Sequence, residues 1–169
     1  MEASATLQDL LDRQAISACV LQYATAVDAH DWPLYADCFT DPLHRDFTAF
    51  APDVVGEIDA KQWASEVSST LTGFDATQHN STNHRHDIRG DEATCWSYMT
   101  AEHVYIEDGV SQVVTLGGEY TNVLVRDGAR WRIRSCTLNV RWSRGDMDLF
   151  EKAVKRAAEE GRAWMVNAQ

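Results

Sequence analysis

A chain of 169 residues with a formal net charge of −11 is long enough to bury one self-sufficient core, and too acidic to be drawn to nucleic acid or an anionic membrane surface. Its cysteines, Cys19, Cys38, Cys95 and Cys136, have neither metal-ligand spacing nor the density of a disulfide framework, so they read as reduced, buried small hydrophobes. No apolar run approaches the roughly 20 residues that span a bilayer and no basic start leads into an apolar stretch, which makes a cytoplasmic protein with a small neutral or hydrophobic ligand the expectation.

Apolar residues at Ile16, Val20, Tyr23 and Val27 recur in steps of three and four and predict an amphipathic helix from Leu7 to Asp28. Tyr23 and Asp28 fall on its last turns. A second, short helix follows, with Asp31 as N-cap, Pro33 in its first turn and Leu34, Tyr35, Cys38 and Phe39 on one face. Thr40 to Pro42 should break it. Leu43 to Glu57 reads as a short strand or hairpin with an irregular loop, and Asp59 caps a third helix from Ala60 to Leu71, ending near Gly73.

Beyond that point the hydrophobic period shifts toward two. Strands are predicted over Ala76 to Gly90, Ala93 to Glu107, Val110 to Arg126 and Trp131 to Trp142, with turns at Arg89-Gly90-Asp91, Asp108-Gly109 and Asp127-Gly128. Gly117-Gly118 marks a bulge or bend. Helices followed by a hairpin-linked meander make an α+β fold whose sheet wraps the helices and leaves a pocket. Asp146 to Ala163 is a final helix, so residues 1–145 form one domain and 146–169 its C-terminal helical extension.

The first of these strands holds three of the six histidines and little aliphatic content. Strict alternation puts His79, Ser81, Asn83, Arg85 and Asp87 on one face and Asn80, Thr82, His84, His86 and Ile88 on the other. One face is expected to line a polar cavity or a subunit contact. His84-x-His86 offers two metal ligands with no Cys or carboxylate to complete them, so no metal is expected and the pair is assigned to solvent or a subunit contact. No nucleophile elbow, phosphate loop or dinucleotide fingerprint occurs, which excludes nucleotide cofactors from the expectation.

The segments Leu21-Gln-Tyr-Ala-Thr-Ala-Val-Asp-Ala-His-Asp-Trp32, Thr77-Gln-His-Asn-Ser-Thr-Asn83, Gly117-Gly-Glu-Tyr-Thr-Asn-Val-Leu-Val-Arg-Asp-Gly128 and Arg130-Trp-Arg-Ile-Arg134 resemble, in this order, the SnoaL-like branch of the nuclear transport factor 2 superfamily. The resemblance covers Leu7 to Trp142 and implies a cone-shaped α+β barrel, with N-terminal helices packed in a curved, mostly antiparallel sheet. Within the branch the sequence is similar to scytalone dehydratase, bile acid 7α-dehydratase and hexachlorocyclohexane dehydrochlorinase. In those enzymes an Asp at the end of the first helix and a His on the first long strand share a proton, and the matching residues here are Asp28 and His79.

That resemblance implies a dehydratase without cofactor, acting on a mostly apolar cyclic substrate: a steroid, terpenoid, polyketide or aromatic catabolite. A carboxylate behind one imidazole nitrogen makes the other a better base, and Tyr23 or His103 would serve the leaving hydroxyl. His103 shares its strand face with Ser97, Met99, Ala101 and Tyr105, a mixture suited to a cavity wall. Tyr35, Tyr120, Asn139, Trp142 and Arg126 are candidate substrate contacts. Rivals are an isomerase of the ketosteroid type, a non-catalytic binding or assembly protein, and an epoxide-type hydrolase for which no clear Arg/Asp network is visible. The resemblance also implies a homo-oligomer, dimer or trimer, formed through the sheet.

Overall fold

Thr6 starts the first helix with a reciprocal cap. Its hydroxyl accepts from the Asp9 N–H at 3.1 Å, and the Asp9 carboxylate accepts from the Thr6 N–H at 2.8 Å, so two donors that the helix cannot satisfy find partners. The helix, α1 (Leu7–Asp28), buries Ile16, Val20, Tyr23 and Val27 as their spacing requires. This computed structural model describes residues 6–166. The first five residues of the expected domain and the last three of its extension lie outside the described residues.

Helix α2 (Trp32–Asp37) is capped by Asp31, which accepts from the Leu34 N–H at 3.0 Å. Strand β1 (Phe39–Asp46) begins where a break was expected. It can do so because its pairing with the last strand is interrupted between Phe39 and His44, and the missing N–H of Pro42 therefore leaves no ladder bond unmade. β1 pairs antiparallel with β2 (Val55–Ile58). Asp59 then caps α3 (Ala60–Leu71), accepting from the Lys61 and Gln62 N–H groups at 2.8 and 2.9 Å.

Gly73 follows α3, but not for a left-handed turn, since its φ lies outside that region. A Cβ there would stand 1.9 Å from the Ala153 carbonyl oxygen of α4 (Leu149–Glu159). Glycine is what lets the two backbones meet. Gly73→Ala is expected to destabilise the fold by about 1–3 kcal/mol, the range for overpacking. Urea denaturation checks this, and an unchanged midpoint would mean that α4 does not dock there.

Strands β3 (Ala76–Arg89), β4 (Glu92–Glu107), β5 (Val110–Asp127) and β6 (Arg130–Arg144) form the expected antiparallel meander. β6 also pairs in parallel with β1, giving the sheet order β2-β1-β6-β5-β4-β3. β2 and β3 remain its edges, so the sheet curls round the helices without closing into a barrel. The Gly117-Gly118 break is present: Gly117 pairs with Trp142 and Gly118 with Val140. The core lies between the inner sheet face, with Val114, Leu124, Ile133 and Cys136, and Ile16, Val20 and Val27 of α1. Among the described residues no helix is long and apolar enough to cross a membrane.

The alternation expected along β3 fails halfway. Asn83 has φ 55°, and the register passes from Thr82 opposite Tyr98 to Arg85 opposite Trp96. Two residues, Asn83 and His84, thus face the single residue Ser97, which is a bulge. Beyond it the even positions turn inward, so His84 and His86 lie on the same side as His79 and Ser81, against Ser17 of α1 and not wholly toward solvent.

Candidate active site

The last turn of α1 brings Asp28 against the start of β3. Its Oδ1 lies 2.7 Å from His79 Nδ1 and accepts from the Thr77 hydroxyl at 2.8 Å, while Oδ2 accepts from the His79 backbone N–H at 2.7 Å. The carboxylate thus grips strand and ring together. Burial alone would raise the Asp28 pKa, but the hydrogen bonds from the His79 ring, its backbone and Thr77 hold it below the ordinary carboxylate value. With Nδ1–H donated to this carboxylate, Nε2 is the nitrogen left to accept a proton.

His79 stands in the wall of a cavity of about 240 Å³ that Tyr23, Tyr35, His103, Tyr120 and Phe150 also line. Alternation along β4 places Met99, Ala101 and His103 on this wall, as their spacing predicts. The Tyr23 and Tyr120 hydroxyls are 3.1 Å apart. Burial first, and then the neighbouring Tyr120 hydroxyl, pushes the Tyr23 pKa well above that of a free phenol; burial likewise raises Tyr120. Both keep their protons; one donates to the other, which leaves the pair one free O–H to donate.

His103 is 2% exposed, with ring centroids of Phe150, Phe74 and His79 at 4.9, 5.0 and 5.4 Å. Burial, reinforced by His79, lowers its pKa to about 4. At neutral pH it is an uncharged imidazole whose Nδ1 lies 3.4 Å from the Val114 carbonyl oxygen. An imidazolium donor is therefore not what this position supplies.

Three of the candidate contacts lie elsewhere. Leu138 sits opposite Tyr120 and faces the cavity, so the next residue, Asn139, points outward and is exposed. The Trp142 indole is half-exposed and covers Gly117, whose Cβ would fall 1.9 Å from the ring. Arg126 keeps the parity of Tyr120, but six residues along a strand is roughly 20 Å. It meets the start of α1, forming a two-bond pair with Asp12 at 3.1 and 2.8 Å, a bond to Asp91 at 2.9 Å and a stack over Trp131 at 4.5 Å.

Other cavity residues were visible only as generic positions, apolar except for Glu66. Phe47 and Phe50 come from the β1–β2 loop and Trp63 and Glu66 from α3, while Phe150 of α4 packs on Phe50 at 5.0 Å and closes one side. The aromatic ones signal only membership of the apolar faces of loops and helices whose docking is set by tertiary contact, and Glu66 carries no signal of its own. The Tyr35 hydroxyl and Trp63 Nε1 are buried at this cavity with no hydrogen-bond partner among the described residues. Such groups are uncommon in folded interiors.

Comparison with known proteins follows the same fold. The SnoaL-like domain pattern matches residues 8–137. The Kfla4162 protein of Kribbella flavida is similar over 84% of this chain and 98% of its own, with 26% identity and a TM-score of 0.78. A protein of Novosphingobium aromaticivorans named as a candidate scytalone dehydratase is similar over 82% and 89%, at 19% identity and TM-score 0.69. Hexachlorocyclohexane dehydrochlorinase LinA-type3 of Novosphingobium barchaimii is similar over 85% and 95%, at 16% identity and TM-score 0.70. No curated protein sequence matches the chain.

Proposed function

The chain belongs to the SnoaL-like domain family, and on that premise we propose that it is a cofactor-independent dehydratase working by histidine acid–base chemistry on a small, mostly apolar cyclic substrate. The observation that carries this reading is the Asp28–His79 pair at 2.7 Å, set in the wall of an apolar cavity beside two protonated phenols. His79 takes a proton from substrate carbon through Nε2, and Asp28 stabilises the imidazolium that results. The adjacent C–O bond breaks as the carbon electron pair forms the double bond. Because Tyr23 and Tyr120 hold their protons so firmly, the one O–H of the pair not spent on the other serves the departing oxygen as a hydrogen-bond donor, and the proton that completes water returns from His79. His103 stays neutral and orients.

A cavity of about 240 Å³ lies below the usual range for drug-sized ligands of ~300–1,000 Å³. That favours a one- or two-ring aromatic or polyketide substrate over a four-ring steroid. Glu66 on the wall and the net charge of −11 favour a neutral one. Two of the similar structures are named for elimination chemistry, which supports the reaction class. The same base could instead return its proton to another carbon, which would make the protein an isomerase. We place it in the cytoplasm as a homo-oligomer, with a small hydrophobic molecule as its partner.

The test is a mass-spectrometric screen of aromatic β-hydroxy ketones, hydroxylated terpenoids and steroids in deuterated buffer. Loss of water from a substrate is the expected result, absent in folded His79→Ala. Deuterium uptake with a shifted double bond would select the isomerase. Ligands that bind and leave unaltered, with no exchange, would make the protein a binding module.

A further inference from the structure

A second polar cluster lies beneath the N-terminal half of α1, apart from the Asp28–His79 pair. His86 stands directly across from Cys95 on β4, and Cys95 directly across from Asn122 on β5. The Asn83 bulge turns His84 onto the same face, one step from His86. One potential ligand atom from each of His84, His86 and Cys95 lies within 4.8 Å of the others. Ligand atoms around a tetrahedral zinc stand roughly 3.5 Å apart, given bonds of about 2.0–2.3 Å, a difference that small side-chain rotations close. Cys95 is the third ligand that the His84-x-His86 pair lacks in the linear sequence. The Gly90 turn supplies it.

The surroundings are built as those of a metal centre are. Ser17 Oγ lies 3.0 Å from His84 Nδ1 and 2.9 Å from His86 Nε2, and Ser81 Oγ lies 2.9 Å from His84 Nε2. Whichever His84 nitrogen binds an ion, a serine hydroxyl holds the other and fixes the ring. Asn122 Oδ1 and Ser97 Oγ are buried beside Cys95 and the bulge, with no hydrogen-bond partner among the described residues.

We propose that His84, His86 and Cys95 form a binding site for one zinc-class divalent cation, with the fourth position open to water. Two imidazoles and a thiolate suit a borderline-soft ion, and without carboxylates they do not suit magnesium or calcium. On binding, Cys95 releases its thiol proton to solvent. The site stands on different residues from the proposed reaction and does not depend on it.

Metal-free, full-length protein titrated with Co²⁺ and, by calorimetry, with Zn²⁺ tests this. One equivalent of Co²⁺ should bind and show a thiolate-to-cobalt charge-transfer band, which Cys95→Ser abolishes. His84→Gln and His86→Gln should each weaken Zn²⁺ binding by at least about tenfold, since even outer partners of metal ligands cost ~10–100-fold. Absence of binding, or cobalt bound without the band, would overturn the proposal. So would a band that survives Cys95→Ser and therefore belongs to another cysteine. Should Cys95→Ser not fold, the two histidine variants decide, and unchanged Zn²⁺ affinity in both refutes the site.

Discussion

His79→Ala is expected to lower kcat/KM for the dehydrated substrate by about 10²–10⁴-fold, the contribution of a positioned general base, and Asp28→Asn made in that background should add little. Asp28 acts on substrate only through the imidazole, so once the ring is gone its part in turnover is gone too. Asp28→Asn alone should be almost as damaging to activity. The carboxylate accepts from the Thr77 hydroxyl, the His79 backbone and the His79 ring. An amide cannot, because its NH₂ must face one of those donors, and the ring is then released from the tautomer that leaves Nε2 basic. The check is a kinetic cycle over both single variants and the double. Losses that simply multiply would show two independent roles, and full activity in Asp28→Asn would remove the carboxylate from the mechanism.

The second large effect is on acid stability. His103 has a folded pKa of about 4 against 6.5 for the free side chain. Between those values the unfolded chain binds a proton that the folded chain refuses, so stability declines as pH falls from 6.5 to about 4, and then this contribution levels off. At about 1.4 kcal/mol for each pH unit, the loss is about 3 kcal/mol. The depressed Asp28 acts in a separate window, below the ordinary carboxylate value, where its stabilisation is lost as the carboxylate protonates. His30, His84 and His86 are also lowered, first by burial, and slope the same way as His103. The comparison with His103→Phe isolates one residue, since the ring already packs between Phe74 and Phe150. Denaturation from pH 7 to pH 4 should give a clearly shallower decline in the variant; parallel curves would show that His103 is not buried neutral.

Much of the fold was written in local chemistry. Asp31 and Asp59 cap the helices that their positions announce, and Asp-Gly pairs turn the hairpins, because caps and tight turns are decided by residues within four of one another. The Tyr23, Tyr35 and Tyr120 rings and both histidines at the cavity follow from helix and strand periods. What escaped the sequence depended on distance. Arg126 has the right parity and the wrong end of its strand. Asn139 differs from Leu138 by one step of the pleat, and Trp142 follows a break in pairing at Gly117. Phe50 and Phe150 come to one cavity from segments a hundred residues apart, which no period records. Cys95 joined the histidines only because a bulge and a turn together set its register.

The left-handed residue at Asn83 divides β3 into two lengths of opposite phase. Asparagine tolerates that conformation better than most side chains, so replacing Asn83 by anything but glycine is expected to cost about 1–2 kcal/mol. With its length kept but Asn83 straightened, β3 would alternate strictly and exchange the faces of everything downstream, driving Arg85 and Asp87 against α1 and both histidines out into water, whereas deletion of the one extra residue would leave those faces as they are. A gap placed on the wrong side of Asn83 when two such chains are aligned would equate a buried histidine with a solvent-facing arginine.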